Sequence, residues 1–118
     1  MITHETEVPS QPIQVEGEQE VDKQILVGPR DGYPGFLREF TLAPGVHTPY
    51  HHHDWYHVVY ILEGTGNVRY GEEEHGIRQG SVLFVEPGQP HGFVNTGTTQ
   101  MRFLCLVPEE ADEYSEAH

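Results

Sequence analysis

The chain carries one cysteine and a single lysine among its 118 residues. One thiol, Cys105, cannot close an internal disulfide, so packing must hold the fold, and a reducing, cytoplasmic setting is expected. No stretch approaches the ~20 apolar residues that cross a bilayer, so no membrane partner is expected. The segment from Met1 to Ser10 is polar, without an apolar run, so no secretory signal is expected. No segment of ten or more residues shows a clear helical period, which argues against an all-helical domain. Basic charge is scarce: six Lys and Arg stand against 19 Asp and Glu, a net charge of −13. Such a surface repels phosphate backbones, so nucleic acid is not an expected partner.

The charge is unevenly placed. Six acids lie between residues 1 and 23 and five between 109 and 118. Residues 24 to 108 keep eight acids and five arginines, a net of −3. The expected organisation is therefore an acidic, partly flexible N-terminal arm (1–23), one domain (24–108) and an acidic flexible C-terminal tail (109–118), with part of the arm pairing as an edge strand.

What fills the domain is short apolar runs between turns. Gln24 to Val27 reads as a strand stopped by Gly28-Pro29. Phe36 to Leu42 alternates, with Phe36, Arg38 and Phe40 on one face and Leu37, Glu39 and Thr41 on the other. Val58 to Leu62, Asn67 to Tyr70, Ser81 to Val85, Gly92 to Val94 and Met101 to Val107 read as further strands, with Ser81–Val85 buried. Gly71 to Glu74 reads as an exposed hairpin turn. Strands recurring every 8 to 14 residues predict an all-β barrel or sandwich.

Histidine is the excess: there are nine. His51 and His53 are two apart, so on a strand both project from one face. Two neutral imidazoles so placed can chelate an ion at ~2.0–2.1 Å. His57, four residues past His53, would lie ~13 Å away on a straight strand. The chain must therefore turn near Asp54-Trp55 for His57 to join them. His91 follows the turn Pro87-Gly88-Gln89-Pro90, which can lift it to the same spot.

These residues resemble the two motifs of the cupin family. Gly45, His51, His53, His57 and Gly64 are similar to the first motif, and Gly80, Gly88, His91 and Asn95 to the second. Two positions depart from the pattern. His57 stands where most cupins have Glu, and Glu86 stands where a proline is usual, with Pro87 one place later. The stretch from Phe84 to Pro108 further resembles the small four-histidine manganese cupins. The resemblance covers most of residues 24 to 108. It implies a single-domain, cupin-type jelly-roll β-barrel, a homodimer, and one divalent ion per chain on His51, His53, His57 and His91. Manganese or iron is the implied metal. Nickel, zinc or copper can occupy such imidazole sites on purification, because affinity follows the Irving–Williams order. Four neutral ligands leave the ion its full +2 charge, which predicts a stronger Lewis acid and a higher potential than a site with Glu.

Pocket candidates follow from parity. Arg38, Phe40, Ile61, Phe93, Phe103 and Cys105 are candidates to face the ion. Arg38 on an inward face suits an anionic substrate; a rim arginine paired with a carboxylate fits the pattern equally. Phe93 and Phe103 also fit plain core. The resemblance makes Cys105 a candidate oxidation site, while a buried inert thiol is the plainer reading. His47 is placed to line the mouth, His52 points away, and His75 is expected to be solvated in a turn. His4 and His118 fall in the loose ends. Trp55 and Tyr56 either cap the pocket or brace the ligand loop. No carboxylate, Asp54 and Glu86 included, stands out as a general base.

The expected function is a metal-dependent, dioxygenase-like oxidoreductase on an unidentified small molecule. Two alternatives stand beside it: a non-enzymatic metal or ligand-binding module with a closed tetrahedral site, and a Lewis-acid lyase or isomerase.

Overall fold

The computed structural model describes residues 1–14 and 20–111. Among them, nine strands form two sheets that face each other. They are β1 (Gln11–Gln14), β2 (Glu20–Val27), β3 (Gly35–Leu42), β4 (His57–Glu63), β5 (Thr65–Tyr70), β6 (Glu73–Arg78), β7 (Val82–Val85), β8 (His91–Asn95) and β9 (Met101–Pro108). The larger sheet runs β1-β2-β3-β9-β4-β7 and the smaller β6-β5-β8. Every strand pair is antiparallel. The all-β, jelly-roll expectation holds.

Alternation sets the inside. In β9, Met101, Phe103, Cys105 and Val107 are buried and their neighbours are less so. Register then aligns the inward residues in rows across the large sheet. One row runs Ile25, Arg38, Cys105, Val59 and Leu83. The next runs Lys23, Phe40, Phe103 and Ile61. Phe40 and Phe103 stack with ring centres 5.5 Å apart, and Phe93 reaches Phe103 from the small sheet at 4.9 Å. These rings, with Val21, Leu42, Ile61, Val68 and Met101, form the core.

Two glycines are required by close approach. A Cβ on Gly66 would lie 2.5 Å from the Val94 carbonyl oxygen, and one on Gly64, at φ +91, would lie 2.6 Å from that of Gln100.

Several expectations are corrected. The boundary at residue 24 falls inside β2, because Val21 is in the core and Lys23 is buried. The first residues are strapped down: the Gln24 side-chain amide donates to the carbonyls of Glu5 (2.8 Å) and Val8 (3.0 Å). The tail expectation lies mostly outside the described residues, as does His118, although Ala111 packs into the core. Glu73 and Glu74 begin strand β6 rather than complete a turn, and His75 lies within that strand, exposed beside Glu73. The acids are tolerated there because only Ile77 of β6 is buried. Residues 82–85 form an edge strand, with Val82 69 % and Phe84 58 % exposed. His51 makes a single bridge and His53 lies in a loop, so the pair is not carried on a regular strand.

Candidate metal centre

Backbone hydrogen bonds stitch the two histidine segments together. His51 and His91 exchange both bonds, at 3.0 and 2.8 Å, and Gly88 N–H donates to the His53 carbonyl at 2.7 Å. Gly45 N–H donates to the Asn95 carbonyl at 2.9 Å. The Asn95 side chain donates to Leu42 and Thr99 carbonyls and accepts from Gly97 N–H, each at 2.9 Å, so it braces a turn and does not face the histidines. The chain bends at Asp54-Trp55 and brings His57 in at the start of β4. Trp55 stacks on His53 with ring centres 4.7 Å apart and planes 7° from parallel, which braces the ligand loop.

The four rings converge. Centre separations are 4.4 Å for His51–His53, 5.5 Å for His51–His91, 5.2 Å for His53–His57, 6.1 Å for His53–His91 and 5.0 Å for His57–His91. An ion ~2.1 Å from each ring nitrogen lies about 3 Å from each ring centre, so rings sharing one ion stand about 4 to 6.5 Å apart. The Nε2 atom of all four is buried and makes no hydrogen bond. His91 Nδ1 lies 3.0 Å from the Gln89 carbonyl, which can only accept, so that nitrogen holds the proton and Nε2 keeps its lone pair. His57 Nδ1 lies 3.2 Å from Cys105 Sγ. Among the described residues, no group of three or more His, Cys, Asp or Glu side chains is placed to hold a metal ion as it stands, so the four rings would have to draw closer to share one.

Burial chiefly, then the neighbouring rings and Arg38, lowers His53 to about 4 and His57 to about 2. Both are neutral near pH 7, the state a metal requires. Arg38, 1 % exposed, points inward. Its Nη2 donates to Cys105 Sγ at 3.3 Å and its guanidinium carbon lies 5.2 Å from the Phe40 ring centre. It is not at the rim and, among the described residues, is not paired with a carboxylate, which corrects one of the two expectations for it. Burial pushes the Cys105 thiol up, against the pull of Arg38.

Phe40, Ile61, Phe93 and Phe103 are buried in the core below the rings, with His91 and Phe93 6.2 Å apart. His47 does not join the four clustered rings: it lines a groove of about 180 Å³ with Tyr50, Asn67 and Arg69. His52 is exposed, as expected. Tyr56 is turned toward Phe84 on the outside. Sequence reading missed Lys23, assigned to the arm but 2 % exposed in the row beside Arg38. Its parity with Ile25 was the available signal.

A model of the cupin domain matches residues 38–107. This chain belongs to the cupin family. The polyketide cyclase RemF from Streptomyces resistomycificus superposes with TM-score 0.85 at 31 % identity, covering 93 % of this chain and 80 % of that one. The 1-methylthio-D-xylulose 5-phosphate methylsulfurylase of Rhodospirillum rubrum is 29 % identical over 79 % of this chain and 59 % of its own length. The oxalate-binding protein of Thermotoga maritima is 33 % identical over 56 % of this chain and 55 % of its own. The chain thus spans little more than half of these curated relatives. No helix among the described residues is long and apolar enough to cross a membrane.

Proposed function

We propose that this cupin is a metal-dependent enzyme, with one divalent ion on Nε2 of His51, His53, His57 and His91, acting as a Lewis acid on a small molecule with oxygen donors. The observation that carries the reading is the convergence of four rings whose Nε2 atoms are buried without hydrogen bonds. When bound, the ion supplies a positive centre that polarises an oxygen of the substrate. Manganese or iron is the favoured metal. The protein's part is to keep the imidazoles neutral, to fix the His91 tautomer through the Gln89 carbonyl, to hold His57 against Cys105, and to exclude water with Ile61, Phe93 and Phe103. The names of three similar proteins, a polyketide cyclase, a methylsulfurylase and an oxalate-binding protein, support a small oxygen-bearing ligand.

A dioxygenase-like oxidoreductase is the second reading. It is favoured by the absence, among the described residues, of a carboxylate facing the rings, and by the apolar wall beneath them. X-ray absorption on protein purified without added metal comes first. Six-coordinate manganese or iron with two exchangeable oxygens supports an enzyme; closed tetrahedral zinc on imidazoles overturns both readings in favour of a binding module. Acetylacetone then separates the two. Deuterium exchange at its central carbon by oxygen-free, zinc-loaded protein supports Lewis-acid chemistry. Consumption only with manganese or iron under air supports the oxidoreductase.

The same proposal includes a homodimer. Val58, Tyr60, Val82 and Phe84 leave an apolar strip on the outer face of β4 and the edge strand β7. Equilibrium sedimentation should give twice the chain mass, and Phe84→Glu should return it to one.

A further inference from the structure

We propose that Arg38 anchors an anion, so that the molecule reaching the histidines bears a carboxylate or enolate oxygen beside the guanidinium. The inference names the substrate class of the metal centre and rests on that reading. It starts from an electrostatic imbalance. Arg38 is buried, its Nε makes no hydrogen bond, and its partners are a sulfur and a ring face. Among the described residues no carboxylate pairs with it. A buried cation in that state costs several kcal/mol, and an apolar side chain of similar size would fill the space without the cost. A divalent ion on the adjacent rings would add two further positive charges.

Position fits the role. Arg38 shares a row with Cys105 and Val59, and Val59 lies two residues along β4 from His57. Successive inward rows on a strand stand about 7 Å apart, the span of a small acid. The guanidinium is a planar fork suited to two oxygens of one group, and Cys105 Sγ holds one arm while Nε stays unmatched. A bound anion would offset the guanidinium and the ion together, and the apolar residues Ile61 and Phe103 in the next row limit what else it carries.

The test uses oxalate as probe and oxamide, its neutral analogue, as control. Manganese-loaded protein is titrated calorimetrically with each. Arg38→Gln should weaken oxalate binding at least tenfold, leave oxamide unchanged and leave metal affinity equal or tighter. Arg38→Lys should fall between. Unchanged oxalate affinity in Arg38→Gln overturns the proposal. Should Arg38→Gln fail to fold, the metal-free wild-type protein decides: oxalate should raise its melting temperature above that with oxamide, and equal melting overturns the anchor. Metal analysis keeps the two readings apart. Protein that holds no metal defeats the metal centre, while an oxalate-specific melting shift in the same sample still supports Arg38.

Discussion

Two arginines on neighbouring strands meet opposite surroundings. Arg102, on the outer face of β9, has three carboxylates. Its Nη1 lies 3.3 Å from Glu5 and 3.4 Å from Glu39, and its Nε stands 2.9 Å from Glu63 without the alignment of a hydrogen bond. Arg38, on the inner face of β3, has none among the described residues. The outer cluster is over-supplied with acid, so Glu39, buried and hydrogen-bonded to Glu5, is raised to about 7, while Glu5 is lowered. On the inner face, Arg38 meets a sulfur and a ring face instead. One arginine is satisfied by the chain's own residues and fastens the N-terminal segment to the sheet. The other lacks a counter-charge that a ligand can bring.

The largest expected effect sharpens the inner half of that contrast. His53→Ala should reduce bound metal, measured by plasma emission, from near one equivalent to a small fraction, while circular dichroism keeps the β-barrel signal. Loss of the fold would make the ion structural. Next, the arginines should respond with opposite sign. Arg102→Ala leaves the carboxylates it served without a counter-charge and should lower stability in urea by about 2 kcal/mol, less than a fully buried pair because the side chain is partly exposed. Arg38→Met, in metal-free protein, should be neutral or stabilising by about 1 kcal/mol. Equal losses would erase the distinction. Third, Cys105→Ala removes the partner of His57 Nδ1 and should weaken metal binding about tenfold, the lower range for such supporting contacts.

The smallest effect is in the pH dependence of the metal-free protein. A carboxyl raised in the folded state binds its proton more tightly there. Glu39 therefore contributes stability that is present below pH 4.5 and lost as pH rises through about 7. His53 acts in the opposite sense, since its folded state refuses a proton that the unfolded chain accepts; its contribution is full above 6.5 and declines as pH falls toward 4. The two nearly oppose each other between pH 4.5 and 6.5. Glu39→Gln should expose the rise due to the histidines alone, read from melting temperatures across that range.

Much of this was legible because it is local. The four clustered histidines declare themselves by spacing, and the bend at Asp54-Trp55 follows from strand rise alone. The inward face of β3 follows from alternation. What is decided by distant residues was not legible. Glu5 and Arg102 are 97 positions apart, and nothing near either names the other. Arg38 has an inward parity but its lack of a carboxylate is a property of every strand around it. Glu73 and Glu74 looked like a turn because an edge strand with one buried residue carries almost no apolar pattern. Val82 and Phe84 looked buried because an apolar run does not reveal that its neighbour on one side is missing.

The placement of β9 has a consequence for how the chain is born. This strand lies between β3 and β4 and supplies Met101, Phe103, Cys105 and Val107 to the core. On a ribosome, β3 and β4 emerge long before their shared neighbour, each with an unsatisfied edge. Closure must await about forty further residues, so folding should be cooperative and slow, in the millisecond-to-second range of sheets dominated by distant pairings. Until then the nascent barrel is an open clamshell, and crowding partners or a chaperone would meet it in that form.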